Sequence, residues 1–185
     1  MPHNVLALVG SLRTGSLNRI LFNAAVELAP AGMAIAEFRG LSELPHYNAD
    51  LDADPWPAPV VALDEALRRA DGVLFVSPEY NYSVPGVLKN AVDWASRAHP
   101  SSALRGKPSA IMGGSTGISG TMRMQYHLRQ ILVFNDSPAM PQPEVILPRI
   151  QERIVDGRLA DESTRALVAK QLAAFAGWID RFRTP

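Results

Sequence analysis

Two stretches of this chain carry side chains whose types and spacing could do chemistry together. The first, Gly10-Ser11-Leu12-Arg13-Thr14-Gly15-Ser16-Leu17-Asn18, follows the apolar run Val5 to Val9 and leads into a helical pattern. It sets hydroxyls, an amide, a guanidinium and glycine-permitted turns beside a helix N-terminus, where a phosphate group is most readily held. A phosphate monoester carries roughly two negative charges and needs several short donors in a concave nest. Ser11, Ser16 and Asn18 can donate from their side chains, Arg13 adds a charged donor, and the N–H groups of Gly15 and Ser16 face the same space. A bare helix cap would need only Ser16 and the turn glycines. The second stretch, Pro78-Glu79-Tyr80-Asn81-Tyr82-Ser83-Val84-Pro85-Gly86, pairs tyrosines that can cover a flat ring with Asn81 and backbone amides that can bond its polar edge. Together they describe a site for a phosphorylated, flat aromatic cofactor.

Neighbouring features carry two readings each. Glu79 is either a functional carboxylate or one without function, a solvated loop carboxylate or the partner of a nearby arginine. Gly113-Gly114-Ser115-Thr116-Gly117-Ile118-Ser119-Gly120 either lets backbone approach a ligand closely or is a flexible turn. Lys89 and Asp93 are spaced as a surface ion pair one helical turn apart. His127 and Arg129 serve an interface or the domain's own surface. Other chemistries are excluded by pattern. The first loop has neither the Gly-Lys-Ser/Thr ending of a Walker A loop nor a Gly-x-Gly-x-x-Gly dinucleotide fingerprint. Ser115 fits Gly-x-Ser-x-Gly, but no histidine follows His127 to complete a hydrolase triad. His3, His46, His99 and His127 show no metal-ligand spacing.

The elements that must position these loops follow from periodicity. Val5 to Val9 is a buried strand, and Leu17, Ile20, Leu21, Ala24, Ala25 and Leu28 mark a helix closed by Pro30 and Gly32. Met33 to Phe38 reads as a short strand, and Gly40 to Pro59 as a long surface loop. A helix through Val60, Leu63, Leu67 and Ala70 precedes the strand Gly72 to Val76, which runs into the Pro78 loop. The third helix carries Val84, Val87, Leu88, Ala91, Val92 and Ala95, with Pro85 in its first turn. Ser109 to Met112 is a fourth strand. A helix follows through Met124, His127, Leu128, Ile131 and Leu132, then a strand region at Ala139, Met140 and Val145 to Leu147. Val168, Leu172, Phe175 and Ile179 give the closing helix. Strands alternating with helices imply a parallel sheet covered on both faces, with ligands outside the carboxyl ends of the strands. The three loops lie at that edge. Five strands with a cofactor loop after the first suit a flavodoxin-like α/β fold, a five-stranded parallel sheet with helices on both faces.

Composition bounds the rest. The 185 residues fit one domain, spanning 1–185, large enough for a core without disulfides or metal. Eighteen basic and eighteen acidic residues cancel, which argues against a nucleic-acid or anionic-membrane partner. With no cysteine there is no thiolate ligand, iron–sulfur cluster or cysteine nucleophile. The N-terminal apolar run is too short for a signal peptide and no stretch approaches a membrane span, so a cytoplasmic protein is expected.

The motifs Gly-Ser-Leu-Arg-x-Gly-Ser-x-Asn at 10–18, Pro-Glu-Tyr-Asn-Tyr-Ser-Val-Pro-Gly-x-Leu-Lys-Asn-Ala-x-Asp-Trp at 78–94 and Gln-Tyr-His-Leu-Arg-Gln-Ile-Leu-Val-Phe at 125–134 resemble the NADPH-dependent FMN reductase family, in its bacterial quinone and chromate reductase branch. The resemblance runs from Val5 to the closing helix. It implies bound FMN and reduction of quinones, azo compounds, chromate or flavin at the expense of NADH or NADPH. It places Ser11, Arg13, Ser16, Leu17 and Asn18 on the FMN phosphate and ribityl tail. Pro78, Glu79, Tyr80, Asn81, Tyr82 and Ser83 would border the ring, and Ser115 and Gly117 its other side. No catalytic side chain is implied, since hydride would pass from the nicotinamide to the flavin and on to a small-molecule acceptor in a ping-pong cycle. A homodimer or homotetramer is implied too, with Tyr82, Arg123, Tyr126 and Glu144 at subunit contacts. The rival class is a non-enzymatic, flavodoxin-like electron carrier. Such carriers tend to be acidic, and this chain has no net charge.

Overall fold

A computed structural model of the chain describes residues 2–97 and 101–183, so His99 lies outside the described residues. Five parallel strands form one sheet: β1 (His3–Val9), β2 (Met33–Glu37), β3 (Gly72–Val76), β4 (Ser109–Gly114) and β5 (Val145–Leu147), in the order β2-β1-β3-β4-β5. That is the flavodoxin-like order expected from the sequence. The chain runs from β1 out to β2 and then crosses back to β3 on the other side of β1, so the topological switch point lies between β1 and β3.

Side chains that alternate along each strand divide the core in two. Val5, Ala7, Val9, Leu74, Val76, Ala110 and Met112 face α1 (Leu17–Glu27) and α5 (Glu162–Asp180). Leu6, Leu8, Val73, Phe75 and Ile111 face α2 (Ala58–Arg69), α3 (Gly86–Ala95) and α4 (Met122–Phe134). On α2 the marked positions Val60, Leu63 and Leu67 are buried, whereas Leu17 and Ile20 on α1 and Ile131 on α4 are only half-buried and His127 is exposed. At about 1.5–3 kcal/mol for each fully buried large aliphatic or aromatic side chain, these two layers are the main favourable term of the fold.

Several boundaries differ from the sequence reading. Pro85 stands at the cap position, one residue before α3, and Val84 is buried ahead of it. Gly40 to Pro59 is no surface loop. It contains 3-10 turns at Gly40–Ser42 and Ala49–Leu51 and buries Leu41 and Leu44. Tyr47 and Trp56 pack edge-on against Trp94, whose indole Nε1 donates to the Pro45 carbonyl at 2.8 Å. Asn90 fixes the same segment, donating to Pro45 O and accepting from the Tyr47 N–H. A short antiparallel pair, β6 (Ile154–Val155) with β7 (Arg158–Leu159), was not foreseen. Lys89 and Asp93 do form the expected pair, at 2.6 Å. Among the described residues, no helix is long and apolar enough to cross a membrane.

The last helix starts on a designed-looking cap. Asp161 accepts from the Thr164 N–H and from the Thr164 and Ser163 hydroxyls, and Arg153 stands beside it. The Thr164 hydroxyl bond first, then Ser163 and the Thr164 N–H, hold its carboxyl down to about 2 from 3.8. A depressed carboxylate contributes stability above its unfolded value, lost as pH falls through the folded value. Asp161→Asn should therefore be less stable than wild type in urea at neutral pH, and the gap should close between about pH 4 and pH 2. A gap independent of pH would show that the charge of Asp161 does not contribute.

Candidate functional site

At the carboxyl edge of the sheet a cleft of about 160 Å³ opens between the loops after β1, β3 and β4. Ser11, Arg13, Ser16, Leu17 and Asn18 wall it from the first loop, Pro78, Glu79 and Tyr80 from the second, and Gly114, Ser115 and Thr116 from the third. A larger groove of about 540 Å³ lies between β2 and α2, lined by Ala34, Ala36, Ala62 and Ala66. Its lining also includes Pro59 in the first turn of α2 and the mixed charges Glu37, Arg39, Glu43 and Arg69, whereas the smaller cleft gathers the loops after β1, β3 and β4.

The first loop is built around the start of α1. Ser16 caps the helix, its hydroxyl accepting from the Arg19 N–H at 3.3 Å, and a turn bond from the Ser16 N–H to Arg13 O closes the loop at 3.1 Å. In the first turn beyond it, the N–H groups of Leu17 and Asn18 have no intrahelical acceptor and are left at the positive end of the helix dipole. Ser11 is only 5% exposed, yet its hydroxyl has no hydrogen-bond partner among the described residues. A hydroxyl that faces a cleft and has no partner in the chain is available to a ligand. The Arg13 side chain bends back over Gly15 and is exposed, with no ion pair among the described residues.

Asn18 does a different job from the donor role expected of it. Its side-chain amide donates to Gly114 O and its carbonyl accepts from the Gly114 N–H, both at 2.9 Å. The amide therefore ties α1 to the end of β4, and its second hydrogen and the backbone N–H of Asn18 are left for a ligand. Gly113 and Gly114 also change meaning. Both are strand residues rather than part of a turn. A Cβ on Gly113 would stand 2.2 Å from the Ser77 carbonyl oxygen, and one on Gly114 would meet Ile150 at 2.5 Å, so these glycines serve close packing of the protein on itself. Beyond them, Ser115 is held by Leu147 O and Ile150 N–H, and Gly117 O by Arg149 N–H, each at 3.1 Å. Ser115 lines the cleft with Thr116, which the sequence reading did not name, whereas Gly117 stands outside the walls.

In the second loop Tyr80 lines the cleft and Asn81, Tyr82 and Ser83 do not. Tyr80 and Ser83 exchange backbone bonds at 3.1 and 2.9 Å, making a two-residue hairpin whose tip, Asn81 and Tyr82, has φ of +49° and +66°. Tyr82 turns its ring to Arg123 instead of the cleft. Glu79 is the buried partner of that arginine, its Oε1 accepting from Arg123 Nε at 2.5 Å. The sequence named Arg123 only as a subunit contact, because a partner 44 residues away leaves no local signal.

Residues 3–152 match the family model described as NADPH-dependent FMN reductase. An NAD(P)H-dependent FMN reductase of Pseudomonas aeruginosa is 47% identical over 180 residues, 97% of this chain and 96% of the relative. A quinone reductase of Escherichia coli is 44% identical over 182 residues, again 97% and 96%. The solved structure of FerB, a flavoenzyme NAD(P)H:(acceptor) oxidoreductase from Paracoccus denitrificans, superposes with a TM-score of 0.88 at 35% identity, covering 97% of this chain and 98% of its own.

Asn18→Ala should unpair both backbone groups of Gly114. The expected loss is about 1–3 kcal/mol in urea unfolding, the usual cost of leaving buried polar groups unsatisfied. Wild-type stability in that variant would show that the bridge is dispensable.

Proposed function

Because the chain belongs to the NADPH-dependent FMN reductase family, we propose that its cleft holds FMN and that it uses NADH or NADPH to reduce quinones. Membership of a reductase family sets the chain apart from flavodoxin-like electron carriers. The observation that carries the assignment of the site is the Ser11 hydroxyl, which stands on the cleft wall without a partner among the described residues, beside the open N-terminus of α1 and the guanidinium of Arg13. That donor set fits a phosphate monoester, which needs charge and several N–H or O–H donors at one end of an otherwise wide site.

Ser11, Arg13, Ser16 and the N–H groups of Leu17 and Asn18 would hold the phosphate and the ribityl tail. Pro78, Glu79 and Tyr80 would border the ring on one side with Asn81, Tyr82 and Ser83 behind them. Gly114, Ser115, Thr116 and Gly117 would border it on the other. When bound, FMN supplies the redox chemistry, passing reducing equivalents from the nicotinamide to an acceptor in two half-reactions at one site. The chain supplies position. Glu79, the one carboxylate in the cleft wall, is committed to Arg123 and α4, which leaves no carboxylate there for proton transfer.

Residues 1–185 form one flavin-binding domain in this reading, and azo compounds and chromate are further acceptors. A cytoplasmic location agrees with the absence of a membrane-crossing helix among the described residues. Self-association as a dimer or tetramer is supported by the exposed apolar residues Met122, Tyr126, Val133 and Phe134 of α4 and by exposed Tyr82 near the start of that helix.

The apoprotein should quench flavin fluorescence on binding about one FMN per chain, and the loaded protein should oxidise NADH or NADPH with benzoquinone. Arg13→Ala should weaken FMN roughly tenfold, leave riboflavin affinity unchanged and leave the melting temperature unchanged, as expected for a lost charge-assisted phosphate contact. Unchanged FMN affinity would remove Arg13 from the phosphate site, and absence of saturable binding by wild type would overturn the assignment of the cleft.

A further inference from the structure

The cleft loop after β3 is fastened along one side to α4, and each fastening uses a residue that the cofactor reading leaves without a task. The helix starts with Thr121 at its cap position, and Thr121 makes no side-chain cap bond. The missing acceptor comes from the other loop: Glu79 Oε2 receives the backbone N–H of Arg123 at 3.0 Å and that of Met124 at 3.1 Å. A carboxylate at this position both satisfies two orphan N–H groups and meets the positive end of the helix dipole.

The arrangement needs Arg123. The Glu79 side chain is 5% exposed, and a carboxylate so far from water requires a cation and a full set of bonds. Arg123 gives Nε to Glu79 Oε1 and sends its Nη2 to the Ser119 hydroxyl at 2.7 Å as well as to Glu79. This fork fixes the plane of the guanidinium, and its carbon lies 3.6 Å from the centre of the Tyr82 ring. One turn further along the same helix face, His127 Nδ1 and the Ser83 hydroxyl share a hydrogen bond of 2.8 Å. Residues 79, 82 and 83 are thus held by α4, and Tyr80 between them is turned to the cleft.

What is being held is strained. Two consecutive residues at positive φ are needed for the hairpin tip; asparagine tolerates this region, but Tyr82, a bulky side chain at +66°, does not adopt it freely. Tyr82 as a residue is 70% exposed in the chain, and it is held by the two backbone bonds between Tyr80 and Ser83 and by the contact of its ring with the guanidinium.

We propose that Arg123 is a positioning residue for the ring side of the cofactor site: through Glu79 and Tyr82 it latches the 79–83 hairpin to the N-terminus of α4, and so presets the Pro78-Glu79-Tyr80 wall before any ligand arrives. The inference rests on the reading of the cleft as a flavin site. A preset loop lowers the ordering cost of binding. The latch acts on the wall and not on the phosphate donors, so it contributes equally to ligands with and without a phosphate. That separates it from Arg13, whose contribution requires the phosphate.

The test is a fluorescence titration of apoprotein with FMN and with riboflavin, together with amide hydrogen exchange of residues 79–83 in the absence of flavin. Arg123→Ala should weaken both ligands by a similar factor, roughly tenfold, leaving their ratio near the wild-type value. The Ser83 amide, which donates to Tyr80 O, should exchange faster while amides of α1 keep their protection. Arg123→Lys should restore less than half of the loss on a logarithmic scale, because an ammonium offers neither the fork nor the planar stack. Tyr82→Leu leaves the Glu79 cap and its ion pair in place and should weaken both ligands by roughly threefold, so the inference stays testable if Arg123→Ala proves too unstable to assay. Wild-type affinities and exchange in Arg123→Ala or Tyr82→Leu would overturn it, as would a loss confined to FMN. If wild type bound neither flavin, the reading of the cleft would fail on its own, and faster Ser83 exchange in the variants would still report the latch.

Discussion

Three parallel strands end at the same buried edge, and the backbone groups where they stop must find partners without water. Much of the site is the solution to that requirement. The end of β4 is completed by the Asn18 amide, which reaches from α1 to both polar groups of Gly114. The end of β3 continues its ladder through the bond from Ser77 N–H to Met112 O, and there the carbonyl of Ser77 lies where a Cβ on Gly113 would otherwise stand. The start of α4 takes its acceptors from Glu79. The loops are consequently cross-linked by side-chain to backbone bonds, and the cleft is the gap that those bonds leave.

The same accounting separates two helix N-termini at this edge. At α4 the first-turn donors are occupied by a carboxylate of the chain itself. At α1 Ser16 caps one N–H, and the N–H groups of Leu17 and Asn18 remain unspent next to the Ser11 hydroxyl and the Arg13 guanidinium. In the proposed reading anion binding therefore falls to α1, although both termini have the same dipole. Electrostatics alone would not distinguish them. The difference lies in which orphan donors the fold has already satisfied.

The sequence showed the parts of this arrangement that are local. Hydrophobic periodicity placed the strands and helices, and the run from Gly10 to Asn18 announced a donor-rich turn before a helix because all of its residues act within one loop. What stayed hidden depends on partners far along the chain. Asn18 reads as a donor until Gly114, 96 residues away, takes both ends of its amide. Glu79 could be read two ways until Arg123 arrives beside it, and Gly113 looks like part of a flexible turn until Ser77 is packed against it. The segment from Gly40 to Pro59 did carry a signal. Leu41, Leu44, Tyr47 and Trp56 are too apolar for a solvent loop, but without a period there is no pattern to match, and Trp94, the partner of Tyr47 and Trp56, lies on another element.

A site built this way limits how the enzyme can discriminate among acceptors. The cleft wall contains one carboxylate, and it is bonded to three donor groups of α4. No cysteine exists in the chain, and His127 meets the hairpin from outside the cleft. An acceptor approaching the ring would meet Pro78 and Tyr80 and the small residues of the β4 loop, which offer shape and stacking but few directed hydrogen bonds. Apolar shape separates close analogues by only about 1–3 kcal/mol, whereas specific polar recognition separates them far more strongly. If the ring binds as proposed, such a wall would favour breadth toward flat, electron-accepting molecules. In such a site the position of the wall matters more than the identity of any one residue in it, and that position is set from behind, by α4.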